Sequence, residues 1–367
     1  MKKNIIFIVF LALHLFAVNG NAQKENSPKV ILITLDGLRW QELYTGADSL
    51  LVTNKTYVND TTKLKADFWR SKAKDRREAL MPFFWKKITA MGQLHGNRNA
   101  GSKVDLTNNM WFSYPGYNEI LTGVADDKNI NSNKKINNPN KTVLEITNNL
   151  PGYKGKVAAF GSWDVFPYIV NEDRSGVPVN AGFEAATGND LNQREVFLNQ
   201  LQDQIPSPWG TVRLDAFTHH YAVEYMKKNH PDLVYIAYGE TDDFAHDGDY
   251  EAYLKAAHNT DGMIKELWEF TQQDAYYKDN TVFIISTDHG RGTDPLDTWK
   301  SHGTKIKDAG QVWIVAFGKG ITTLGEVKNT EQLYSNQIAA TVAAVMGNVY
   351  SVKNAGKPIE SIVKSKK

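Results

Sequence analysis

The sequence of 367 residues contains no cysteine. This absence excludes disulfide bridges, thiolate catalysis and zinc sites built from cysteine, so any bound metal must be held by carboxylates, imidazoles or hydroxyls. The sequence also lacks an excess of charge of one sign, because it contains 42 Lys and Arg residues and 41 Asp and Glu residues. The chain therefore has no basic footprint for nucleic acid, and we expect no nucleic-acid-binding surface.

Long hydrophobic runs are scarce. One extended apolar stretch, residues 5–18, follows the basic start Met1-Lys2-Lys3 and precedes small polar residues around Ala22. This three-part pattern predicts a secretory signal at residues 1–22 and export to the periplasm or the extracellular space. The stretch is too short for a comfortable membrane span. We therefore expect no stable span after the signal is removed; the alternative is an uncleaved N-terminal anchor.

Short apolar runs recur along the rest of the chain and predict strands. They lie at residues 30–35, 156–160, 233–238, 281–286 and 312–318. Helical patterns lie between or after them, at residues 216–228, 250–272 and 332–346. Continuous apolar strands that alternate with helices predict an α/β fold with a doubly wound, mostly parallel sheet and helices on both faces. We expect residues 23–367 to form a single catalytic domain, with residues 53–109 and 126–141 as peripheral or pocket-lining insertions.

Acidic and imidazole side chains follow three of the predicted strands. Asp36 ends the first strand, Asp242 and His246 follow a later one, and Asp288 and His289 follow a third. Each pair taken singly is ordinary turn chemistry. Ligands of open α/β sheets, however, bind outside the carboxyl ends of the strands. Since carboxylate oxygen and imidazole nitrogen suit zinc in the absence of cysteine, the combination predicts a metal site at this edge.

Two further residues extend this prediction. Ser113 precedes the turn-forming Tyr114-Pro115 and a helical segment, which predicts a hydroxyl at a helix N-terminus. Free N–H groups and the helix dipole make such an end an anion pocket, and a metal-bound serine there is an activated nucleophile. A simple helix-capping role for Ser113 is compatible with this one. His302, in "TWKSHGT", follows Asp288 closely enough to reach back as another ligand.

Five motifs occur in order between positions 36 and 302, which is most of the mature chain. They are "LDGLRW", "SYPGYNEILTG", "DDFAH", "STDHG" and "SHG". Each is weak alone, but in this order they resemble the alkaline phosphatase superfamily, and most of all its nucleotide pyrophosphatase/phosphodiesterase (type I phosphodiesterase) branch. The resemblance implies a metal-dependent hydrolase of phosphoric esters, which acts on a small phosphate-ester substrate.

The resemblance also implies two zinc ions, or other divalent metals, and a serine nucleophile. The implied ligands of one ion are Asp36, Ser113, Asp288 and His289, and those of the other are Asp242, His246 and His302. Ser113 would attack phosphorus and form a covalent phospho-enzyme, which water then hydrolyses. One ion would stabilise the attacking oxygen and the other the leaving oxygen.

The sequence departs from this branch after the nucleophile. The two residues after the proline of "SYPGY" are Gly-Tyr, where the branch usually has Asn-His. The asparagine that holds a phosphoryl oxygen in the family matches either Asn131 or Asn133. Arg39 and Lys300, which lie near predicted ligands in sequence, are further candidates for contact with phosphate, and surface ion pairs explain them at least as well.

Two other functions are compatible with parts of the pattern. A sulfatase on the same scaffold is the main alternative, although "SYPGY" has Tyr where the sulfatase motif has Arg, and a sulfatase would hold a single calcium. A catalytically inactive binding protein is disfavoured, because the nucleophile and all the implied ligands are present. The sequence leaves phosphate monoesters and diesters as equal alternatives, and no feature of it specifies an oligomeric state.

Overall fold

A mostly parallel sheet of eight strands forms the centre of the computed structural model, which describes residues 27–363. The spatial order of its strands is β10 (Gly325–Glu326), β2 (Gly92–His95), β9 (Ile314–Gly318), β7 (Thr281–Ser286), β1 (Lys29–Leu35), β6 (Leu233–Tyr238), β4 (Val157–Gly161) and β5 (Val179–Ala181). Only β9 runs against its neighbours in this sheet, since it pairs antiparallel with both β2 and β7. The predicted signal at residues 1–22 lies outside the described residues. Within them, no helix combines the length and the apolar character that a membrane crossing requires.

The strands and helices alternate along the chain, as the sequence predicts. The strands are β1 (Lys29–Leu35), β2 (Gly92–His95), β3 (Val104–Asp105), β4 (Val157–Gly161), β5 (Val179–Ala181), β6 (Leu233–Tyr238), β7 (Thr281–Ser286), β8 (Gln311–Val312), β9 (Ile314–Gly318), β10 (Gly325–Glu326) and β11 (Leu333–Tyr334). A second, small sheet has the order β11-β3-β8.

Helices surround the main sheet. The α-helices are α1 (Trp40–Thr45), α2 (Thr61–Phe68), α3 (Ala73–Leu80), α4 (Thr89–Met91), α5 (Ser113–Thr122), α6 (Val143–Asn148), α7 (Phe166–Val170), α8 (Glu172–Ser175), α9 (Gln193–Gln204), α10 (Asp215–Asn229), α11 (Glu240–His246), α12 (Tyr250–Gln273), α13 (Ile338–Val345) and α14 (Glu360–Val363). A π-helix spans Phe84–Ile88, and 3-10 helices span Arg98–Ala100, Leu296–Lys300 and Ser335–Gln337.

Both faces of the sheet are buried. Successive side chains of a strand point to opposite faces, so one strand can contribute to two hydrophobic cores. Ile31, Ile33 and Leu35 of β1 belong to one hydrophobic core. Val30 and Leu32 of the same strand belong to a second core on the other face. This arrangement explains why β1 is apolar throughout, and it confirms the predicted doubly wound α/β fold with helices on both faces.

The structure corrects three predictions about individual segments. Residues 53–109 are only partly peripheral, because they supply β2 to the main sheet as well as several helices. The run at 312–318 divides at Trp313 into β8 and β9, which lie in different sheets. The helix predicted for 332–346 begins only at Ile338, after β11 and a 3-10 turn. In each case tertiary pairing decides the local structure, which periodicity alone does not reveal.

A buried histidine on β2 makes stability depend on pH. His95 is 3% exposed, and its Nε2 lies 2.8 Å from Oε1 of Gln93. Burial lowers the pKa of His95 from 6.5 to about 4. The unfolded chain therefore binds a proton between these pH values that the folded chain does not, so the contribution of His95 to stability is complete above pH 6.5 and is lost as pH falls toward 4.

Replacing this histidine with glutamine, which retains a polar amide, tests that dependence. We expect the difference in unfolding free energy between the wild type and H95Q to be constant above pH 7. Below pH 6.5 the wild type should lose stability relative to H95Q, by up to about 1.4 kcal/mol of unfolding free energy for each pH unit. Urea denaturation at pH 7, 6 and 5 measures it. A difference that is the same at all three pH values would contradict the assignment.

Candidate active site

Three neighbouring strands bring carboxylates to one edge of the main sheet. β1 lies between β7 and β6, and all three are parallel. Asp36 follows β1, Asp242 lies in the first turn of α11 after β6, and Asp288 follows β7. Because the carboxyl ends of parallel strands meet at the same edge, the sequence order of these residues becomes one spatial cluster, as predicted.

Asp36, Asp288 and His289 form the first half-site. The Nε2 atom of His289 lies 3.2 Å from Oδ1 of Asp36 and 3.5 Å from Oδ2 of Asp288. Asp36 is 5% exposed, and Asp288 and His289 are fully buried. The ligand atoms of these three residues all lie within 4.8 Å of one another, which is close enough for them to share one metal ion.

Asp242, His246 and His302 form the second half-site. Nε2 of His246 lies 2.9 Å from Nε2 of His302 and 3.2 Å from Oδ2 of Asp242. Asp242 and His246 are four residues apart on α11, so the helix places them on one face. The side chain of His246 is 46% exposed, so this half-site faces solvent. Asp242 also connects the two halves, because its Oδ1 lies 3.6 Å from Nε2 of His289.

The atoms of the first half-site are chemically suited to a divalent cation. Nδ1 of His289 lies 3.0 Å from the carbonyl oxygen of Gly290, to which it donates, so Nε2 is left as an acceptor. Oδ1 of Asp36 and Oδ2 of Asp288 receive no hydrogen bond from residues 27–363. Buried acceptors without donors are costly. Their convergence on one point therefore fits a cation that all three residues share.

The electrostatics of the cluster agree with this assignment. Burial, and then the neighbouring Asp242, raise the pKa of Asp36 well above its usual range. Burial and the charge of Asp36 do the same for the pKa of Asp288. Burial also opposes ionisation of Asp242, but the Arg291 guanidinium prevails and holds the pKa of that carboxyl well below its usual range. Asp36 and Asp288 thus lack a compensating positive charge that a metal ion would supply.

Ser113 opens α5 beside the first half-site. Its Oγ lies 3.4 Å from Nε2 of His289, and the residue is 5% exposed. The helix packs tightly on the loop that follows β7 and carries Asp288 and His289, which we call the ligand loop. A β-carbon at Gly116 would collide with the backbone carbonyl of Asp288 in this loop. Ser113 therefore lies where its hydroxyl could be both a ligand and a nucleophile.

A buried carboxylate shapes the chain that leads to Ser113. Glu119 accepts hydrogen bonds from the backbone of Thr107 at 2.8 Å and of Asn108 at 2.8 Å. Oδ1 of Asn108 in turn accepts from the backbone N–H groups of Met110 and Trp111, both at 3.0 Å. Because these contacts satisfy the backbone of a turn just before α5, they fix the entry of the chain into the helix that carries the serine.

Tyr117 is a functional candidate that the motif comparison noted only as a departure from the family. It lies one helical turn after Ser113 and is buried, and its hydroxyl donates to Oδ2 of Asp36 at 2.8 Å. The ring packs edge-on against Phe166, with centroids 4.8 Å apart. Tyr117 therefore orients a candidate ligand, and the i to i+4 spacing from the serine is the sequence signal for it.

Removal of this hydroxyl should weaken the metal site. We expect Y117F to lower metal affinity by roughly 10–100-fold, as is common when a group that orients a ligand is lost. Equilibrium dialysis of the metal-free protein against zinc measures the change. Y235F is the matched control, because the buried hydroxyl of Tyr235 bonds to Thr34 at 2.9 Å rather than to a candidate ligand. Equal effects of the two substitutions would contradict the role of Tyr117.

The structure separates the two candidate asparagines. Oδ1 of Asn133 accepts a hydrogen bond at 3.0 Å from the backbone nitrogen of Tyr114, the residue after the serine. The side chain of Asn131 instead donates to the carbonyl of Lys128 at 3.2 Å. Residues 126–141, which contain no helix or strand, thus run beside the start of α5 and bring Asn133 to the backbone of Tyr114, which follows Ser113.

The two basic candidates are engaged elsewhere. Arg39 is 2% exposed and forms a buried ion pair with Glu42, and its Nη1 donates to the carbonyl of Gly292 at 3.0 Å. The structure therefore assigns Arg39 to the protein interior rather than to a phosphate. The ammonium of Lys300 lies 5.6 Å from the ring centroid of Tyr57, which is a cation–π contact. Neither residue contacts a candidate ligand.

Arg291 is a site residue that the sequence reasoning missed. It follows the Asp288-His289 pair closely, in "DHGRG", and its guanidinium is fully buried against Asp242. A basic residue next to a predicted ligand pair was the available signal. Asp242 is distant from Arg291 in sequence, so the contact itself could not be inferred.

Comparisons with known proteins agree with this geometry. The family model described as "Metalloenzyme superfamily" matches residues 185–350, which include the candidate ligands from Asp242 to His302. A search of curated proteins gave no match to the chain.

Several solved structures share the fold at low sequence identity. Wild-type alkaline phosphatase PafA is 11% identical, with a TM-score of 0.63 over 92% of this chain and 99% of that chain. The lipoteichoic acid synthase LtaP from Listeria monocytogenes is 13% identical, with a TM-score of 0.58 over 95% of this chain and 82% of that one. The 2-O GAG sulfatase BT1596 is 12% identical, with a TM-score of 0.58 over 93% and 76% of the two chains. These likenesses show that the chain shares the fold of alkaline phosphatase PafA, of LtaP and of the sulfatase BT1596, and they do not distinguish a phosphodiesterase branch.

Proposed function

We propose that the chain is a hydrolase of phosphoric esters that uses Ser113 as its nucleophile and two divalent cations, with zinc as the first choice. Two likenesses support this: the chain shares the fold of alkaline phosphatase PafA, and residues 185–350 match the metalloenzyme superfamily model. The observation that carries this proposal is the position of Ser113. Its Oγ lies 3.4 Å from Nε2 of His289, at the start of a helix and beside three converging carboxylates. A serine in this position is placed to attack the phosphorus of an ester bound at the start of the helix.

The ligands of the two half-sites would hold the cations. Bound there, divalent cations would act as Lewis acids that stabilise the attacking and the leaving oxygens. The chain itself fixes the positions of these ligands. His289 donates through Nδ1 to Gly290, which aims its Nε2 at Asp36, and Tyr117 holds the other oxygen of Asp36. Burial of Asp36 and Asp288 excludes water from the first half-site.

The reaction on this chain would proceed in two displacements. Oγ of Ser113 gives its proton to solvent and attacks phosphorus, the bond between phosphorus and the alcohol oxygen breaks, and the alcohol oxygen takes up a proton from solvent as it leaves. A water molecule then attacks the phosphoserine from the side that the alcohol has left, which returns the serine hydroxyl and releases phosphate or its monoester. The second half-site is the solvent-facing one, with His246 46% exposed, so we assign the departing alcohol and the incoming water to that side.

Asn133 and the start of α5 provide the contacts for the phosphoryl oxygens. The carbonyl oxygen of Asn133 accepts from the backbone of Tyr114, so its amide nitrogen remains able to donate to an oxyanion. We therefore assign Asn133, rather than Asn131, to the substrate. The start of α5 adds the positive end of the helix dipole, whereas the backbone N–H of Tyr114 is already bonded to Asn133 and Pro115 has none.

A sulfuric-ester hydrolase is the second candidate, and one observation favours it. Arg291 already supplies a fixed positive charge beside Asp242. A site with such a cation needs less charge from metal ions, so a single-metal site for a sulfate monoester is chemically feasible. Metal content distinguishes the two functions: two zinc ions per chain support the phosphoesterase, and one calcium ion supports the sulfatase.

The test is a comparison of rates on three substrates, each with and without a chelator. These substrates are p-nitrophenyl phosphate, bis-p-nitrophenyl phosphate and p-nitrophenyl sulfate, and the purified chain from residue 23 is loaded with zinc. A chelator-sensitive preference for either phosphate supports the proposal and separates monoesterase from diesterase. Turnover of the sulfate alone supports the second candidate, and no turnover of any of the three contradicts both.

We also propose that this activity is exported, on the strength of the signal pattern at residues 1–22. Expression of the full chain in a Gram-negative host, followed by N-terminal sequencing of the periplasmic fraction, tests this. A mature chain that starts at Gln23 is expected, and an uncut chain in the membrane fraction would support an anchor instead.

A further inference from the structure

Arg291 connects three segments that carry candidate metal ligands. Its Nε donates to the carbonyl of Gly37 at 3.2 Å, its Nη1 to that of Lys300 at 2.7 Å, and its Nη2 to that of Asp242 at 3.0 Å. Gly37 follows Asp36, and Lys300 lies just before His302. The guanidinium is fully buried. One planar, rigid group therefore sets the relative positions of ligands from both half-sites.

Arg291 also forms an ion pair with Oδ1 of Asp242. This is the oxygen that lies 3.6 Å from Nε2 of His289 and 3.7 Å from Nε2 of His302. A carboxylate oxygen that accepts a charge-assisted hydrogen bond has less charge to offer to a metal ion. The two half-sites are therefore unequal, because the free carboxylate oxygens of the first receive no hydrogen bond within residues 27–363.

The charges of the cluster lead to the same conclusion. Asp36, Asp242 and Asp288 carry three negative charges when ionised, and the histidine ligands are neutral when they bind a metal. Arg291 and one divalent cation together carry three positive charges. The first ion therefore brings these three aspartates and Arg291 to neutrality. A second ion adds two positive charges, of which the neighbouring Asp243 would balance at most one. An oxyanion bound at Ser113 would supply the missing negative charge.

We propose that Arg291 replaces part of the charge of the second cation, so that the two half-sites fill in order. The first half-site binds its divalent ion tightly. The second binds its ion more weakly and gains affinity when a tetrahedral oxyanion is present, and by linkage the second ion strengthens oxyanion binding by the same factor. Arg291 is thus a positioning residue that couples metal content to substrate. This inference rests on the metal site of the proposed function.

A titration of the metal-free chain with zinc tests the order of binding. We expect two steps in a competition assay with a chromophoric chelator, with dissociation constants that differ by at least about tenfold, or about 1.4 kcal/mol. Inorganic phosphate should strengthen only the weaker step. H246A, which changes a half-exposed side chain, should keep the tight step and lose the weak one. Two steps of equal affinity in the wild type would overturn the inference but not the proposed function, whereas no zinc binding at all would overturn the proposed function.

Two substitutions of Arg291 separate its charge from its hydrogen bonds. R291K keeps the charge, although its ammonium cannot reach three carbonyls in the same geometry, and R291Q removes the charge. We expect R291Q to narrow the affinity gap between the two steps at least several-fold, and R291K to retain it. An unchanged gap in a folded R291Q would overturn the role of the charge. If neither variant folds, as judged by circular dichroism, the wild-type and H246A titrations still decide the order of binding.

Discussion

Replacement of Ser113 with alanine is expected to lower turnover of the preferred ester by on the order of 10³-fold or more, while zinc remains bound. The hydroxyl of Ser113 is the only proposed nucleophile, so no covalent intermediate can form without it. The metal ions would keep most of their ligands, since the carboxylates and imidazoles of both half-sites are unchanged. Steady-state kinetics and metal analysis of the same preparation measure the two outcomes together.

Two control variants make this result specific. S113T keeps the hydroxyl and should recover much of the activity that alanine loses. S102A is the same chemical change at another buried serine, whose Oγ accepts from the backbone of Gly96 at 3.1 Å in the β2–β3 connection. It should leave turnover unchanged. Wild-type turnover in S113A would show that another group, or water directly, attacks the ester.

Removal of metal should abolish the activity and also destabilise the fold. Asp36 and Asp288 are 5% and 0% exposed, and the charge of Asp36 raises the pKa of Asp288, so a divalent cation between them would relieve this repulsion. A ligand at about a thousand times its dissociation constant stabilises the folded state by roughly 4 kcal/mol. For a chain of this size we expect a fall in melting temperature on the order of 5–10 °C when a chelator is added. Differential scanning calorimetry with and without chelator, and after zinc is restored, measures it.

D288N is the matched control for the chelator experiment. Oδ1 of Asp288 accepts from the backbone nitrogen of Gly37 at 3.1 Å, and the asparagine oxygen can accept the same hydrogen bond. The variant therefore loses the charge of a candidate ligand but keeps a local contact. We expect its melting temperature to respond much less to the chelator. An equal response in the wild type and D288N would place the stabilising metal elsewhere.

The strands and the edge that carries the site could be predicted from the sequence. β1, β6 and β7 are continuous apolar runs, and Asp36, Asp242 and Asp288 follow their ends within one to four residues. A parallel sheet must bring such ends together. The long helix α12 was also predicted within a residue, because its apolar positions repeat over many turns. Elements that are defined by their pairing with distant strands could not be predicted as well. The run at 312–318 is divided between two sheets, and no local sequence pattern marks the division.

The groups that orient the ligands could not be predicted in the same way. Arg291 contacts Gly37 and Asp242, which are remote in sequence, so its role depends on the packing of three loops. The motifs indicated which residues could bind a metal, but not which of their carboxylate oxygens would be left without a hydrogen bond. Arg39 illustrates the opposite error, since proximity in sequence to Asp36 suggested a phosphate contact, whereas its partner is Glu42 within the core.

The close docking of α5 on the ligand loop constrains how this site can change. Any side chain at position 116 would meet the carbonyl of Asp288, so an Asn there, as in the phosphodiesterase branch, would require the whole helix to move away. The Tyr117 hydroxyl, which must stay within reach of Asp36, would then lose its partner. Positions 116 and 117 are therefore epistatic: single replacements toward the branch sequence should be deleterious, and a directed-evolution library would have to vary both together with the loop that follows β7.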